Sequence, residues 1–312
     1  MQHLRGNLYA IKGKSVRLAD GRIVLTANSI FIDDHQKAII DPASDHKVLQ
    51  DIAKRNKIPL CFLSHSHIDH LCSYRLFRNS TLFLHQDEDC RSDLFENATR
   101  TRRISKTRRL KEAIGIGRHA SFERFKEGDT FRIGNTVMYV IHTPGHTKGH
   151  SCFYFPNEKM LYSADFDLSV LGPWYGQKDS NIGDFFKTAE KLRRTDADIW
   201  VTGHWKWIVV DNLIERIEAF MRKISEREGR IIDILQEARA VEEIQSLGLI
   251  YPRFIIDRNP WLRESEAIMI TKNLERLEVL GRVRKVGANK WIAGGMSGSE
   301  DRGETMAPQS SL

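Results

Sequence analysis

The segment 64–70, SHSHIDH, constrains this chain more than any other. It follows the apolar run IPLCFL, which is too short for a helix and reads as a buried strand. Three histidines and one aspartate then fall within seven residues. Imidazole is a good ligand for zinc and iron, and carboxylate adds a hard anionic oxygen. In an extended segment alternate residues share a face, so His65 and His67 can point at one ion. A turn into helix then re-aims Asp69 and His70 toward a second ion nearby.

Such a centre needs further ligands, each where a strand runs out. VIHTPGHT puts His146 in a Pro-Gly turn, LYSADF puts Asp165 at a strand end, and IWVTGHW puts His204 after another strand. Five histidines and two aspartates suffice for two ions with a solvent molecule between them. Asp167 competes with Asp165 for this place. His142 and His150 read as structural or supporting groups, and His85, in LFLHQDED, as a packing residue.

The layout around these residues is that of a layered α/β domain. Short strands are expected in NLYAIKG, RIVLTANSIFID and KAIIDP, then a helix in SDHKVLQDIAKRN capped by Ser44 or Asp45. HLCSYRLFRN reads as a helix and STLFLHQ as a strand. Strands resume at DTFRIGN, TVMYVIHT, GHSCFYFP and KMLYSADF. The loop LGPWYGQKD, the helix IGDFFKTAEKLRRT and the strand in ADIWVTGHW close this part. From residue 211 the chain turns helical, and its last amphipathic helix runs into two short strands around GAN, a winged-helix-like pattern. The expected division is a catalytic domain over 1–210, a winged-helix-like domain over 211–293, and a polar, Gly/Ser-rich disordered tail over 294–312.

The ordered motifs over residues 8–205 resemble those of the metallo-β-lactamase fold superfamily. SHSHIDH is similar to its HxHxDH signature, TPGHTKGH to its PGHT motif, and SADF and TGHW to its later Asp and His motifs. The resemblance implies an αββα sandwich with the site at one edge of the paired sheets. It also implies that His65, His67 and His146 hold one divalent metal ion, that Asp69, His70 and His204 hold a second, and that Asp165 bridges both. Zinc is the expected metal, with iron and manganese compatible. Where the family often has glycine, two residues after the signature, this chain has Cys72, a small hydrophobe by default.

Two cations lower the pKa of a bridging water, so hydroxide exists at neutral pH, and Asp69 is placed to orient it and relay a proton. The expectation is a hydrolase of an ester or thioester of a small anionic substrate, of the glyoxalase II and acyl-thioesterase kind. A phosphodiesterase or endoribonuclease acting on nucleic acid is the alternative, since RTRRISKTRRLK (100–111) places seven basic residues in twelve and the net charge is +7. Arg102 and Arg103 are candidate anion contacts, and Trp174 and Tyr175 candidate walls of the substrate pocket. A vestigial DNA-binding or ligand-sensing regulator and a mono-iron dioxygenase both fit the complete ligand set poorly. No apolar run is long enough to span a membrane, and MQHLRGNLYA lacks the apolar core of a secretory signal. With four cysteines and no CxxC pair, a cytoplasmic protein is expected, with homo-oligomerisation left open.

Overall fold

The computed structural model describes residues 1–17, 23–88, 122–204 and 207–294. The basic stretch 100–111, with Arg102 and Arg103, and the tail beyond residue 294 lie outside the described residues.

Strands β1 (Gln2–His3) and β2 (Leu8–Ile11) open the chain. A small hairpin, β3 (Ser15–Arg17) and β4 (Ile23–Leu25), follows. Then come β5 (Ser29–Asp33), β6 (Lys37–Ile40), helix α1 (His46–Arg55), β7 (Leu60–Phe62), β8 (Thr81–His85) and β9 (Glu123–Phe125). Seven of these strands form one sheet in the order β1-β2-β5-β6-β7-β8-β9, parallel from β6 onward. The second sheet has the order of the chain: β10 (Thr130–Ile133), β11 (Thr136–His142), β12 (Ser151–Phe155), β13 (Met160–Ala164), β14 (Ile199–Thr202) and β15 (Ile208–Val209). Helix α2 (Ile182–Arg193) crosses between β13 and β14, which run parallel.

Strand periodicity sorts the side chains into layers. Ile30, Ile32, Ile40 and Phe62 meet Val140, Phe153, Phe155, Tyr162 and Val201 between the sheets. Their neighbours Phe31, Ile39, Cys61 and Leu63 point the other way, onto Leu49 and Ile52 of α1. Cys152, Leu161 and Trp200 likewise face outward, under Phe185, Ala189 and Leu192 of α2. Both sheets are therefore buried on both faces, and the order of layers is α, β, β, α.

The remaining elements are α3 (Leu213–Ile234), β16 (Arg239–Ala240), α4 (Val241–Gln245), α5 (Arg253–Ile256), α6 (Pro260–Val279), β17 (Val283–Val286) and β18 (Lys290–Ala293). The last strands form a sheet ordered β16-β18-β17. Ile231, Leu235, Ile244, Ile270, Leu274 and Trp291 build a core of their own. Ile217, Phe220, Ile224 and Met269 instead join the layer that covers the second sheet. The C-terminal helices thus share apolar contacts with the sandwich. No helix among the described residues is long and apolar enough to cross a membrane.

Three readings of the sequence need correction. The stretch HLCSYRLFRN is not one helix: a 3₁₀ turn, Ile68–His70, ends at its first residue, and a second, Tyr74–Phe77, lies within it. Its early hydrogen bonds close three residues back, His70 N–H to the His67 carbonyl and Leu71 N–H to that of Ile68. RIVLTANSIFID is split, because Thr26 and Asn28 turn inward to bond Lys14 and Thr202. The last helix starts at Pro260, earlier than its apolar pattern suggests, with Asn259 capping the N–H of Leu262.

Candidate metal centre

The sandwich brings all seven candidate ligands to one edge. His65 and His67 follow β7, and Asp69 and His70 sit in the first 3₁₀ turn. Asp165 follows β13 and His204 follows β14. His65, His67, His146 and Asp165 each offer one ligand atom, all within 4.8 Å of one another, and Asp69, His70 and His204 do the same.

Asp165 lies between the two sets. Its Oδ2 is 3.0 Å from His146 Nε2 and 3.7 Å from His65 Nε2. Its Oδ1 is 2.9 Å from His70 Nε2 and 3.5 Å from His204 Nε2. Asp69 Oδ2 is 3.2 Å from His204 Nε2, and His67 Nδ1 is 2.9 Å from His146 Nε2. Three features of the backbone place this carboxylate. Ala164 is left-handed (φ 45°), a conformation that costs a non-glycine residue about 1–3 kcal/mol. The Asp165 N–H donates to His150 Nε2 at 3.1 Å, and His150 Nδ1–H donates to the Thr143 carbonyl at 3.0 Å. Gly203 lies so close that a Cβ there would sit 2.9 Å from Asp165 Oδ1 and from the Ala164 carbonyl. His150 therefore supports the site, as its position in the sequence suggests, by holding the backbone of Asp165.

The far nitrogens of the histidines fix their tautomers. His70 Nδ1 bonds Asp41 Oδ2 at 2.7 Å, His65 Nδ1 bonds Ser64 Oγ at 3.0 Å, and His146 Nδ1 bonds the Trp174 carbonyl at 3.1 Å. With protons assigned there, each Nε2 presents a lone pair to the centre. His65 Nε2 is buried without a hydrogen-bond partner among the described residues, and the buried His70 Nε2 and Asp165 Oδ1 face each other at 2.9 Å. Buried polar atoms left in that state are costly, and convergent lone pairs on five imidazoles and two carboxylates are what a cation satisfies. The donor set fits divalent metal ions.

Burial lowers His65 and His67 below the ordinary imidazole range and so keeps them neutral, the form that ligates. Burial disfavours charge on His70, His146 and His204, but Asp165 beside them raises all three above the ordinary imidazole range. Burial also opposes the charge of Asp165, yet the surrounding histidines hold it well below the carboxylate range. Asp69 is likewise held down at about 2, against burial, by His204 and His70.

Two supporting carboxylates were not foreseen. Asp41, wholly buried at the end of β6, accepts from the Ser64 N–H (2.8 Å), Ser64 Oγ (2.6 Å) and Tyr162 Oη (2.8 Å) besides His70. Glu88, 4% exposed, accepts from the Ser66 N–H (3.2 Å), Ser66 Oγ (2.6 Å), the Gly149 N–H (3.1 Å) and Thr147 Oγ1. It ties the loop of His65 and His67 to the loop of His146. KAIIDP shows a strand ending in Asp41, which was the available signal; nothing in QDED marks Glu88.

Other candidates take plainer places. Asp167 Oδ1 accepts the Ser169 N–H and caps a turn. Cys72 donates its thiol to the Ile68 carbonyl, and burial pushes its pKa up to about 12. His85 is buried and stacks on His142, the rings 4.0 Å apart and 15° from parallel. Asp87 joins them in a third group, but stacked rings cannot both aim in-plane lone pairs at one ion. Trp174 is half-buried, with its ring 5.3 Å from that of His146. Tyr175 does not wall a pocket: it is wholly buried, its hydroxyl bonds Asn273 and its ring packs under Arg227.

An αββα sandwich with two His/Asp sets at one edge defines a class of metal-binding proteins. Residues 22–204 match the metallo-beta-lactamase superfamily, and the chain belongs to that family, whose members are metal-dependent hydrolases. Among its relatives, the beta-lactamase-like protein 2 homolog of Caenorhabditis elegans is 25% identical over 187 residues, which is 59% of this chain and 60% of that one. A hydroxyacylglutathione hydrolase of Rhizobium etli is 31% identical over 137 residues, 43% of this chain and 44% of that one. The chain thus spans less than two thirds of the length of these relatives. A metallo-beta-lactamase family protein of Thermus thermophilus shares the fold, with a TM-score of 0.71 at 19% identity over 92% of this chain and 98% of that one.

Proposed function

We propose that this chain is a dinuclear metal-dependent hydrolase that cleaves an ester or thioester of a small anionic substrate. The observation that carries the reading is the division of Asp165, one carboxylate oxygen toward each ligand set. His65, His67 and His146 would hold one ion and Asp69, His70 and His204 the other, with Asp165 between them; zinc is the expected metal. Bound there, the ions would supply a hydroxide at neutral pH and an electrostatic sink for the developing oxyanion. Asp69, half-buried at the rim and ionised, is the group placed to orient the nucleophile and to hold its proton.

Hydroxyacylglutathione hydrolase relatives at about 30% identity support a thioester over a phosphodiester. We read residues 1–210 as the catalytic domain and residues 211–293, with their terminal three-stranded sheet, as a winged-helix-like module. Its shared core with the sandwich supports a structural and substrate-covering role. The test is a screen of the metal-loaded protein against acyl thioesters and bis-p-nitrophenyl phosphate. Turnover of thioesters alone is expected, and turnover of the phosphodiester alone would transfer the reading to a nuclease.

A further inference from the structure

The C-terminal helices reach the metal centre through one aromatic pair. The Trp174 ring lies 5.3 Å from the His146 ring and 5.8 Å from that of His67. Trp261, near the start of α6, stacks on Trp174 with centroids 5.7 Å apart and planes 19° from parallel. Trp261 stays 42% exposed.

We propose that Trp174 and Trp261 form a shelf that receives a flat apolar group, an aryl or conjugated acyl chain, of the substrate whose carbonyl lies at the His/Asp cluster. The inference rests on the hydrolase reading above and adds a substrate class to it. The shelf is built rather than incidental. A Cβ on Gly176 would come within 2.9 Å of Trp174 Cζ2 and 2.8 Å of Ser265 Cβ on α6, so glycine alone lets the indole and the helix close on this loop. Buried Arg227 of α3 donates to the Pro173 carbonyl at 2.7 Å and to that of Leu171. Lys272 of α6 donates to the carbonyls of Lys178 and Ser180 at 3.0 and 2.5 Å. The loop is thus tied to the C-terminal helices on both sides of Trp174.

An indole pair fixed in this way offers flat, rigid apolar area at little entropic cost, and rings prefer offset stacking on it. A short alkyl group would leave most of that area wet. Trp261 comes from a segment some 90 residues beyond Trp174, so the C-terminal module, not the sandwich alone, sets acyl preference.

The experiment compares phenylacetyl and acetyl thioesters of N-acetylcysteamine with the full, metal-loaded chain, its W261A and W261F variants, and their metal contents. Calorimetric binding of phenylacetate against acetate gives a readout that needs no turnover. The expected result is that W261A lowers kcat/KM for the phenylacetyl thioester about tenfold more than for the acetyl one. It should weaken phenylacetate binding in parallel, and W261F should restore much of both. Equal losses on both thioesters, or unchanged phenylacetate binding, would overturn the shelf and leave Trp261 as packing between modules. Should neither thioester be cleaved by the parent protein with both ions bound, the phenylacetate comparison still decides the shelf, and the hydrolase reading stands or falls on the thioester and phosphodiester screen above.

Discussion

His70 and Asp41 are paired at 2.7 Å with both side chains out of contact with water. The pairing sets the His70 tautomer and turns its Nε2 toward Asp165. Such outer carboxylates are worth about 10–100-fold in metal affinity. Asp41→Asn retains the shape and can still accept at one atom, so the fold should survive. The weaker acceptor should loosen the ion held by Asp69, His70 and His204 by about tenfold or more. Competition with a chelator of known affinity measures this, and an affinity equal to the parent's would count against the pairing.

Glu88 joins two ligand-bearing loops, accepting from the backbone N–H of Ser66 in one and of Gly149 in the other. Glu88→Ala should cost about 3 kcal/mol of stability, because it takes a shared acceptor away from buried donors. Glu88→Gln keeps an acceptor and should cost less. Chemical unfolding of the two variants gives the comparison; equal, small losses would mean that the loops hold themselves.

The candidate ligands were legible in the sequence because each sits in a short polar motif after an apolar strand, and the ends of β7, β13 and β14 come together at one edge of the paired sheets. The layered α/β architecture followed from the same alternation. Glu88 and Trp261 were not legible, and Asp41 showed only as a carboxylate at a strand end. Each is a single residue whose meaning depends on which strand or helix becomes its neighbour, and that is a long-range fact. Tyr175 was misread for a related reason: the sequence shows a loop beside the site, but α3 and α6 bury one aromatic of it and leave the other half open.

Arg227 links the C-terminal module to the metal centre. It holds the carbonyls of Leu171 and Pro173, next to the Trp174 carbonyl that orients His146. Arg227→Met keeps bulk and removes the donors. Unfolding should become easier by about 2 kcal/mol, as for hydrogen bonds to a charged group. The stabilisation gained on adding metal should also shrink. A variant whose metal-induced rise in Tm matches the parent's would sever this link.

His85 gives a pH dependence away from the ligands. Burial, with His142 stacked beside it, lowers its pKa from 6.5 to about 4. Between these values the unfolded chain binds a proton that the folded chain refuses, so this residue lowers stability as pH falls and contributes nothing above the upper value. His85→Phe keeps a stacking ring and removes the titration. Its Tm relative to the parent's should therefore rise between about pH 7 and about pH 5. Parallel Tm curves for the two proteins would show that His85 titrates normally.

The central claim is that the seven ligands hold two ions joined through Asp165. Metal content per chain, by plasma mass spectrometry on protein purified without chelator or histidine tag, tests it most directly. The account predicts two ions per chain in the parent and loss of both sites' occupancy in Asp165→Ala, with His67→Ala depleting its own site first. A single ion in the parent, or two ions retained by a folded Asp165→Ala variant, would contradict it.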